Sequence, residues 1–375
     1  MKDILHFLEG ITQNILLKSI KKRIVNSEIK IGDYIIGEKN SPFIIAEMSG
    51  NHNGSLERAY KLIDAAYDSG ANAVKLQTYT AEQLTIDVKG GLFDINDSKS
   101  LWNGENLFKL YEKAHTPLEW HKKLFKYAKS KGIIIFSSVF DESGVDFLEK
   151  LNVKAYKVAS FENNHYPLLK KVAKTGKPVI MSTGLSTISQ LEKSIEVLKG
   201  NGCKNLILLK CTSTYPSSPK NSNLKTIPAM AKLFDCQVGL SDHTLGIGVP
   251  IASISFGATV IEKHFTLDRK DGGVDSEFSL EPSELKMLVD ESKRAYKSIG
   301  KIFIGITEEE KSSLRFKRSI YVVNDIKKNE KFDINNIRII RPGNGLDTGY
   351  YEKILGKKAK INIKAGTPLS LEMLF

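Results

Sequence analysis

From Pro42 onward two hydrophobic patterns alternate along the chain. Short β-branched and apolar runs are followed by longer segments in which apolar positions recur every three or four residues. The runs predict strands at Phe43–Glu47, Ala73–Gln77, Ile133–Ser137, Ala155–Val158, Pro178–Ser182, Leu206–Lys210, Gln237–Leu240 and Thr259–Lys263. The segments between them predict helices near 55–69, 117–131, 142–151, 166–175, 187–200, 223–234 and 247–256, with a last one over 282–299. Most of the strands lack polar alternation, as expected of strands covered on both faces of a parallel sheet. Repeated strand–helix units of this kind fit a closed (β/α)8 TIM barrel over residues 39–300. The alternative is an open doubly wound sheet. No glycine-rich nucleotide fingerprint follows the first strand, which disfavours it.

The flanks read differently. Residues 1–38 predict a helix over 3–23 and a strand pair, Glu28–Ile31 and Tyr34–Ile36, turning at Gly32-Asp33. Residues 78–116 form one long connection, expected to lie over the C-terminal mouth of the barrel as a partial lid around Trp102. A break at 301–315 reads as a linker. Residues 316–375 then show short strands (Ser319–Val323, Ile337–Arg341) and turn signals at Pro342-Gly343 and Asn344-Gly345, as in a small separate domain.

Composition narrows the class. The chain has 375 residues, 41% of them apolar and 26% charged, which supports a packed core and excludes general disorder. Its formal charge of +12 comes from lysines and arginines spread along the chain among acidic residues. With no helix-turn-helix, finger or aromatic platform, nucleic-acid binding is not expected. Cys203, Cys211 and Cys236 have no close spacing, so a reducing, cytoplasmic setting is expected rather than a disulfide scaffold. No apolar run approaches the length of a membrane span, so no stable membrane insertion is expected; the first residues also lack the pattern of a secretory signal.

The chemistry gathers at the predicted strand ends. Glu47, followed by Ser49 to Asn53, closes the first strand; Lys75 and Gln77 lie in the second, and Ser137 and Ser138 end the third. Lys157, Ser160 and Glu162 follow in the fourth unit and Ser182 to Gly184 in the fifth. Lys210 to Tyr215 end the sixth, Ser241 to Thr244 the seventh, and Glu262 to His264 the eighth. In a barrel all of these share one mouth. Lys75 and Lys157 with nearby hydroxyls make a cradle for phosphate or carboxylate; the competing reading pairs a lysine with Glu47 or Glu262. His243 and His264 can share a divalent ion, or serve as acid–base or structural groups. His52 is placed near the mouth, and His121 in a helix as a structural group. Asp242 is read as orienting His243 or as a local cap. Cys211 has no recognisable base partner in sequence and is read as a packed thiol.

These residues fall in a set of motifs: PFIIAEMSGNHNGS, VKLQTYT, AYKVASFE, VIMSTGLS, KCTSTYP, GLSDHT and IEKHFTLDR. Their order resembles the sialic acid synthase family over about residues 28–375. The last part is similar to the type III antifreeze-like, or SAF, domain of that family. Members condense phosphoenolpyruvate with an N-acylated amino-deoxy aldose. Within the family the likeness is greatest to the branch that makes pseudaminic acid, carried by KLQTYTA, SLWNGENLFKLYEKAHTP, VASFE and LLKCTSTYP. Phe161 in VASFE suits a 6-deoxy sugar better than a hydroxyl-rich one. Branches using N-acetylmannosamine or a trideoxymannose derivative are the alternatives, and a non-catalytic sugar-acid-binding barrel is a further one.

The resemblance implies roles residue by residue. His243 and His264 hold a divalent ion, Mn2+ or in its place Mg2+ or Co2+. Lys75, Ser138, Lys157, Ser160, Ser213 and Ser241 surround phosphoenolpyruvate, with Ser213 standing where the family often has asparagine. Gln77 and Tyr215 shape the sugar site, Glu162 belongs to the substrate-binding set, and Asp275 meets sugar hydroxyls. Glu47 sits near the reacting carbons. The small domain is expected to reach across a domain-swapped homodimer, bringing Arg318, or Arg315 in its place, to the sugar's N-acyl group.

Overall fold

A computed structural model describes residues 28–375; the helix expected over 3–23 lies outside the described residues. The chain divides into two units at Gly300/Lys301. In the first, β1 (Ile29–Ile31) and β2 (Tyr34–Ile36) form an antiparallel pair. Eight parallel strands then close on themselves: β3 (Phe43–Glu47), β4 (Ala73–Thr78), β5 (Ile134–Val139), β6 (Tyr156–Val158), β7 (Val179–Ser182), β8 (Leu206–Cys211), β9 (Gln237–Asp242) and β10 (Val260–His264). Closure comes from β10 pairing with both β9 and β3, with His264 set beside Glu47. All eight predicted strands are present, with ends shifted by a residue or two.

The eight predicted helices are present as α1 (Leu56–Asp68), α4 (Leu118–Lys131), α5 (Glu142–Lys150), α6 (Tyr166–Lys174), α7 (Ile188–Gly200), α8 (Thr226–Phe234), α9 (Gly248–Ile254) and α10 (Pro282–Ile299); two that were not predicted, α2 (Ala81–Leu84) and α3 (Leu107–Ala114), lie in the long connection 78–116. Local chemistry starts several of them. Ser55 caps α1 by accepting from the Arg58 amide, Asp141 caps α5 through Gly144, and Thr187 with Gln190 closes a capping box on α7. The apolar faces pack on the outside of the strands, where Ile44, Ala46, Val74 and Leu76 meet Leu62, Leu124 and Leu288. Each such fully buried side chain contributes about 1.5–3 kcal/mol.

Because side chains alternate along a strand, the residues of β3 and β4 that pack on helices leave Glu47, Lys75 and Gln77 for the interior. The same alternation puts one charged pair on the outer side. Glu262 and His264 line the central cavity, so Lys263 between them faces the helix layer. There it is fully buried, and its Nζ donates to Asp242 Oδ2 at 2.6 Å and to the Thr244 carbonyl. Asp242 also accepts from the Thr244 hydroxyl at 2.8 Å. These bonds enclose His243 on both sides in sequence; the local-bond reading of Asp242 holds, while the His243 ring itself bonds the Thr212 carbonyl.

The second unit, Lys301–Phe375, has its own core of Ile320, Val322, Ile326, Phe332, Ile337 and Ile354. Strands β11 (Ser319–Val322) and β12 (Ile337–Ile340) pair antiparallel, and a short helix, α11 (Tyr351–Ile354), follows. The stretch expected to be a plain linker contains a 3-10 segment over Glu309–Phe316.

Breaking the Lys263–Asp242 pair leaves a buried, uncompensated carboxylate. Lys263→Met is expected to lower unfolding stability by about 3–5 kcal/mol, measured by urea denaturation. The double variant with Asp242→Asn is expected to recover part of that loss. Equal midpoints for wild type and Lys263→Met would contradict the pairing.

Candidate active site

The strand ends open into one cavity of about 560 Å³. β3 contributes Glu47, β4 Lys75 and Gln77, β5 leads to Ser138, and β6 gives Lys157 with Ser160 just beyond it. β7 adds Ser182, β8 Cys211, β9 Ser241, and β10 both Glu262 and His264. His243, Tyr215, Glu162 and Asp275 come from the loops that follow the strands. Residues scattered over the whole barrel sequence therefore share one space, because parallel strands point their C-terminal ends the same way.

Its floor is a chain of buried charges. Lys75 Nζ lies 3.4 Å from Glu47 Oε2, 3.2 Å from Glu262 Oε1 and 3.1 Å from Ser138 Oγ. Lys157 Nζ lies 3.7 Å from Glu262 Oε1 and donates to Ser182 Oγ at 2.8 Å. Ser241 Oγ donates to Glu262 at 3.1 Å, and Gln77 donates to Glu47 Oε1 at 2.8 Å. The ion-pair reading of the lysines is present: each meets a glutamate, and each also lines the cavity.

The environments push like groups apart. Burial raises Glu47 above the ordinary carboxylate range, against the pull of Lys75. Burial also works against ionised Glu262, but Lys157 and Lys75 outweigh it and hold that carboxyl low. Burial opposes the charge on Lys75, and Glu262 and Glu47 more than restore it. Lys157 is lowered by burial, which Glu262 only partly offsets. Glu162, desolvated beside the cavity, is pushed up to about 7. Among the described residues, Glu47 Oε2, Glu162 Oε2, Glu262 Oε2 and His264 Nδ1 are buried atoms with no hydrogen-bond partner. Unsatisfied polar atoms facing a cavity mark where a ligand's polar groups belong.

The two imidazoles are adjacent, with ring centroids 5.3 Å apart. His243 Nδ1 bonds the Thr212 carbonyl at 3.0 Å, which leaves Nε2 for other work. His264 Nδ1 is 3.4 Å from Asp275 Oδ2, and Asp275 accepts a bond from Ser49 Oγ. Ser49 in turn accepts from Gln77 at 3.0 Å and holds a left-handed backbone, φ +48°. The Tyr215 ring lies against His243 at 4.4 Å and Trp102 at 5.7 Å. Cys211 does have a partner, contrary to the sequence reading. Burial pushes its thiol up, but His243 and the Ser160 and Ser213 hydroxyls outweigh that and bring it down to about 6.

Other expected residues fall as follows. Ser160 Oγ accepts from the Gly184 amide at 3.2 Å. A Cβ on Gly184 would stand 2.3 Å from Ser213 Oγ and 2.7 Å from Ser160 Oγ, so only glycine lets these two hydroxyls converge. Ser213 itself sits beside Cys211, at 3.6 Å, rather than in the cavity lining. His52 is buried against Trp120 and does not line the cavity, correcting its placement at the mouth. His121 is structural as expected: it is buried in α4 and bonds Thr78 Oγ1 at 2.8 Å. Arg315 and Arg318 are exposed residues of the second unit. Sequence reasoning underweighted Glu262, Ser182, Ser49 and Cys211. For Glu262 the signal was its spacing of two from His264, which puts both on one strand face.

Comparison with known proteins agrees with this geometry. Residues 62–303 match the model of the NeuB family and residues 317–374 that of the SAF domain. The chain belongs to the NeuB family. The NeuB-family chain is 42% identical over 348 residues to the pseudaminic acid synthase of Campylobacter jejuni, covering 91% of this chain and 98% of the relative. It is 41% identical to the pseudaminic acid synthase of Helicobacter pylori, over 88% and 97% of the two chains. It is 39% identical to the N,N'-diacetyllegionaminic acid synthase of Campylobacter jejuni, over 86% and 96%. Among solved structures it is similar to the N-acetylneuraminic acid synthetase of Leptospira borgpetersenii, with TM-score 0.68, 32% identity and coverage of 77% and 95%.

The raised Glu162 predicts a pH effect. Its carboxyl is neutral below pH 7 and charged above it, and the charge faces the same cavity as the two lysines. The KM for an anionic substrate is expected to rise as pH passes upward through about 7. Glu162→Gln is expected to remove that rise, read from initial rates at pH 6 to 8.5. A wild-type KM flat across this range would rule the effect out.

Proposed function

We propose that this NeuB-family chain condenses phosphoenolpyruvate with 2,4-diacetamido-2,4,6-trideoxy-β-L-altrose and water, giving pseudaminic acid and phosphate. The observation that carries the reading is the placing of Lys75 and Lys157 on the floor of the cavity whose wall holds the His243–His264 pair. The two pseudaminic acid synthases at 41–42% identity support the choice of product.

The residues divide the work. Lys75 and Lys157, with Ser138, Ser160 and Ser241, receive the carboxylate and phosphate of phosphoenolpyruvate, trading their internal glutamate contacts for a ligand's charge-assisted bonds. Gln77 and Asp275 orient the sugar, and Tyr215 covers the histidine rings. Bond formation joins enolpyruvate C3 to the aldehyde carbon, water adds at C2, and the C2–O bond to phosphate then breaks. Glu47, whose Oε2 is 3.4 Å from Lys75 Nζ, gives or takes the proton of that water in this reading. Holding both reactants in one cavity replaces a bimolecular encounter with an oriented one.

The histidines fit a metal as far as nitrogen donors go. His243 has Nε2 free of its carbonyl bond and His264 stands beside it, while no ready cluster of three or more protein ligands occurs among the described residues. A divalent ion, Mn2+ in this reading with Mg2+ or Co2+ as substitutes, would be held by His243 and His264 and would polarise the sugar's aldehyde oxygen.

The decisive assay is phosphate release with three aldoses: the trideoxy-altrose sugar, the corresponding trideoxymannose sugar and N-acetylmannosamine. The first is expected to give the highest kcat/KM. His264→Ala is expected to lose turnover and, by calorimetry, Mn2+ affinity, while keeping its fold. Equal turnover of N-acetylmannosamine would refute the substrate, and no phosphate from any sugar would favour a binding barrel. The legionaminic acid relative makes the trideoxymannose sugar the nearest competitor.

We place the reaction in the cytoplasm, consistent with three free cysteines. Among the described residues no helix is long and apolar enough to cross a membrane. A domain-swapped homodimer, with the SAF unit presenting Arg318 to the partner's sugar, is part of the proposal. Its support is the apolar run Ile302, Phe303, Ile304, in which the isoleucines are 100% and 98% exposed, since such residues call for a covering surface. Deleting 316–375 is expected to abolish most turnover; full kcat/KM in the truncated barrel would sink the capping role.

A further inference from the structure

The cavity has two chemically opposite sides. Its floor is the lysine–glutamate chain. Facing the same space are Leu84 from α2, Leu107 and Leu110 from α3, and Phe140 after β5. Three of these four come from the connection between β4 and α4.

That wall is anchored. Asn106 caps α3 and donates to the Val88 carbonyl at 2.9 Å, the Phe93 carbonyl at 3.2 Å and Asp94 Oδ1 at 2.8 Å. Trp102 donates its indole N–H to the Val274 carbonyl at 2.9 Å and packs on Tyr215. The connection is thus tied to itself, to the loop that carries Asp275 and to the ring that covers the histidines. An anchored apolar surface can select by shape and polarity, because its side chains are not free to move away from a misfitting group.

We propose that Leu84, Leu107, Leu110 and Phe140 form the specificity pocket for the far end of the sugar, selecting aldoses with methyl groups there. This deepens the function proposed above and rests on it. With the aldehyde carbon at the histidines, the remaining carbons extend away from the charged floor. A 2,4-diacetamido-6-deoxy sugar carries two acetamido methyls and a C6 methyl. N-acetylmannosamine carries hydroxyls at C4 and C6 instead. A hydroxyl against these leucines finds no partner among them, which is the source of discrimination. Phe161 takes a lesser part than its sequence position suggests, since it stands at the rim and is 60% exposed.

The test compares matched sugars that differ only at C6, methyl against hydroxymethyl, in wild type, Leu107→Ser and Leu84→Ser. Wild type is expected to favour the 6-deoxy sugar by roughly 10–100-fold in kcat/KM, the range apolar pockets reach. In the variants this ratio is expected to fall about 5-fold or more, while the KM for phosphoenolpyruvate stays as in wild type. Leu84→Ala, which removes the same wall without adding a polar group, gives the same comparison if a serine variant has a depressed melting temperature. An unchanged ratio in active variants overturns the proposal, as does a wild type indifferent to C6. Should wild type prefer another aldose, the proposed substrate falls, and a C6 pair built on that aldose still reads the wall.

Discussion

The site depends on one buried electrostatic arrangement: Lys75 held between Glu47 and Glu262, with Lys157 on the far side of Glu262. Placing an ion in a protein interior costs several kcal/mol, recovered only when opposite charges and hydrogen bonds are well placed around it. Here they come from four strands, β3, β4, β6 and β10. Only a closed barrel makes β10 a neighbour of β3, and so brings Glu262 within reach of both lysines. Closure therefore sets the charge state of the floor. It leaves Glu47 driven towards its neutral form by burial, Glu262 held as an anion, and two lysines facing the cavity.

The same strands do different work on their two faces. On β10, Glu262 and His264 face the cavity, whereas Lys263 faces the helices and ties down the backbone on either side of His243 through Asp242 and Thr244. A buried ion pair outside the barrel thus fixes the backbone beneath a ring that faces inside. On the mouth side, Ser49 does comparable work for Asp275, at the cost of a left-handed backbone.

The cavity joins a polar floor built by strands to an apolar wall built mostly by one long connection. Strand positions are locked by eight mutual pairings, so their side chains are the dependable place for reacting groups. A connection can change its apolar side chains without disturbing that lattice, so it is the natural place for specificity.

The architecture was legible in the chain because burial on both faces of a strand, the helical repeat and the caps at Ser55, Asp141 and Thr187 are local signals. The strand-end residues Glu47, Lys75, Lys157, His243 and His264 could be assigned to one mouth for the same reason, since a barrel sends every strand end the same way. Other features needed the tertiary structure. The internal ion pairs of Lys75 depend on distances to Glu47 and Glu262, which come from different strands. The burial of His52 against Trp120, the partnership of Cys211 with His243 and the convergence of Ser160 and Ser213 at Gly184 likewise involve residues remote in sequence. Periodicity reports which face of an element is apolar, and so determines fold. Which polar groups meet across the barrel depends on register and closure, and these exist only once the strands have paired.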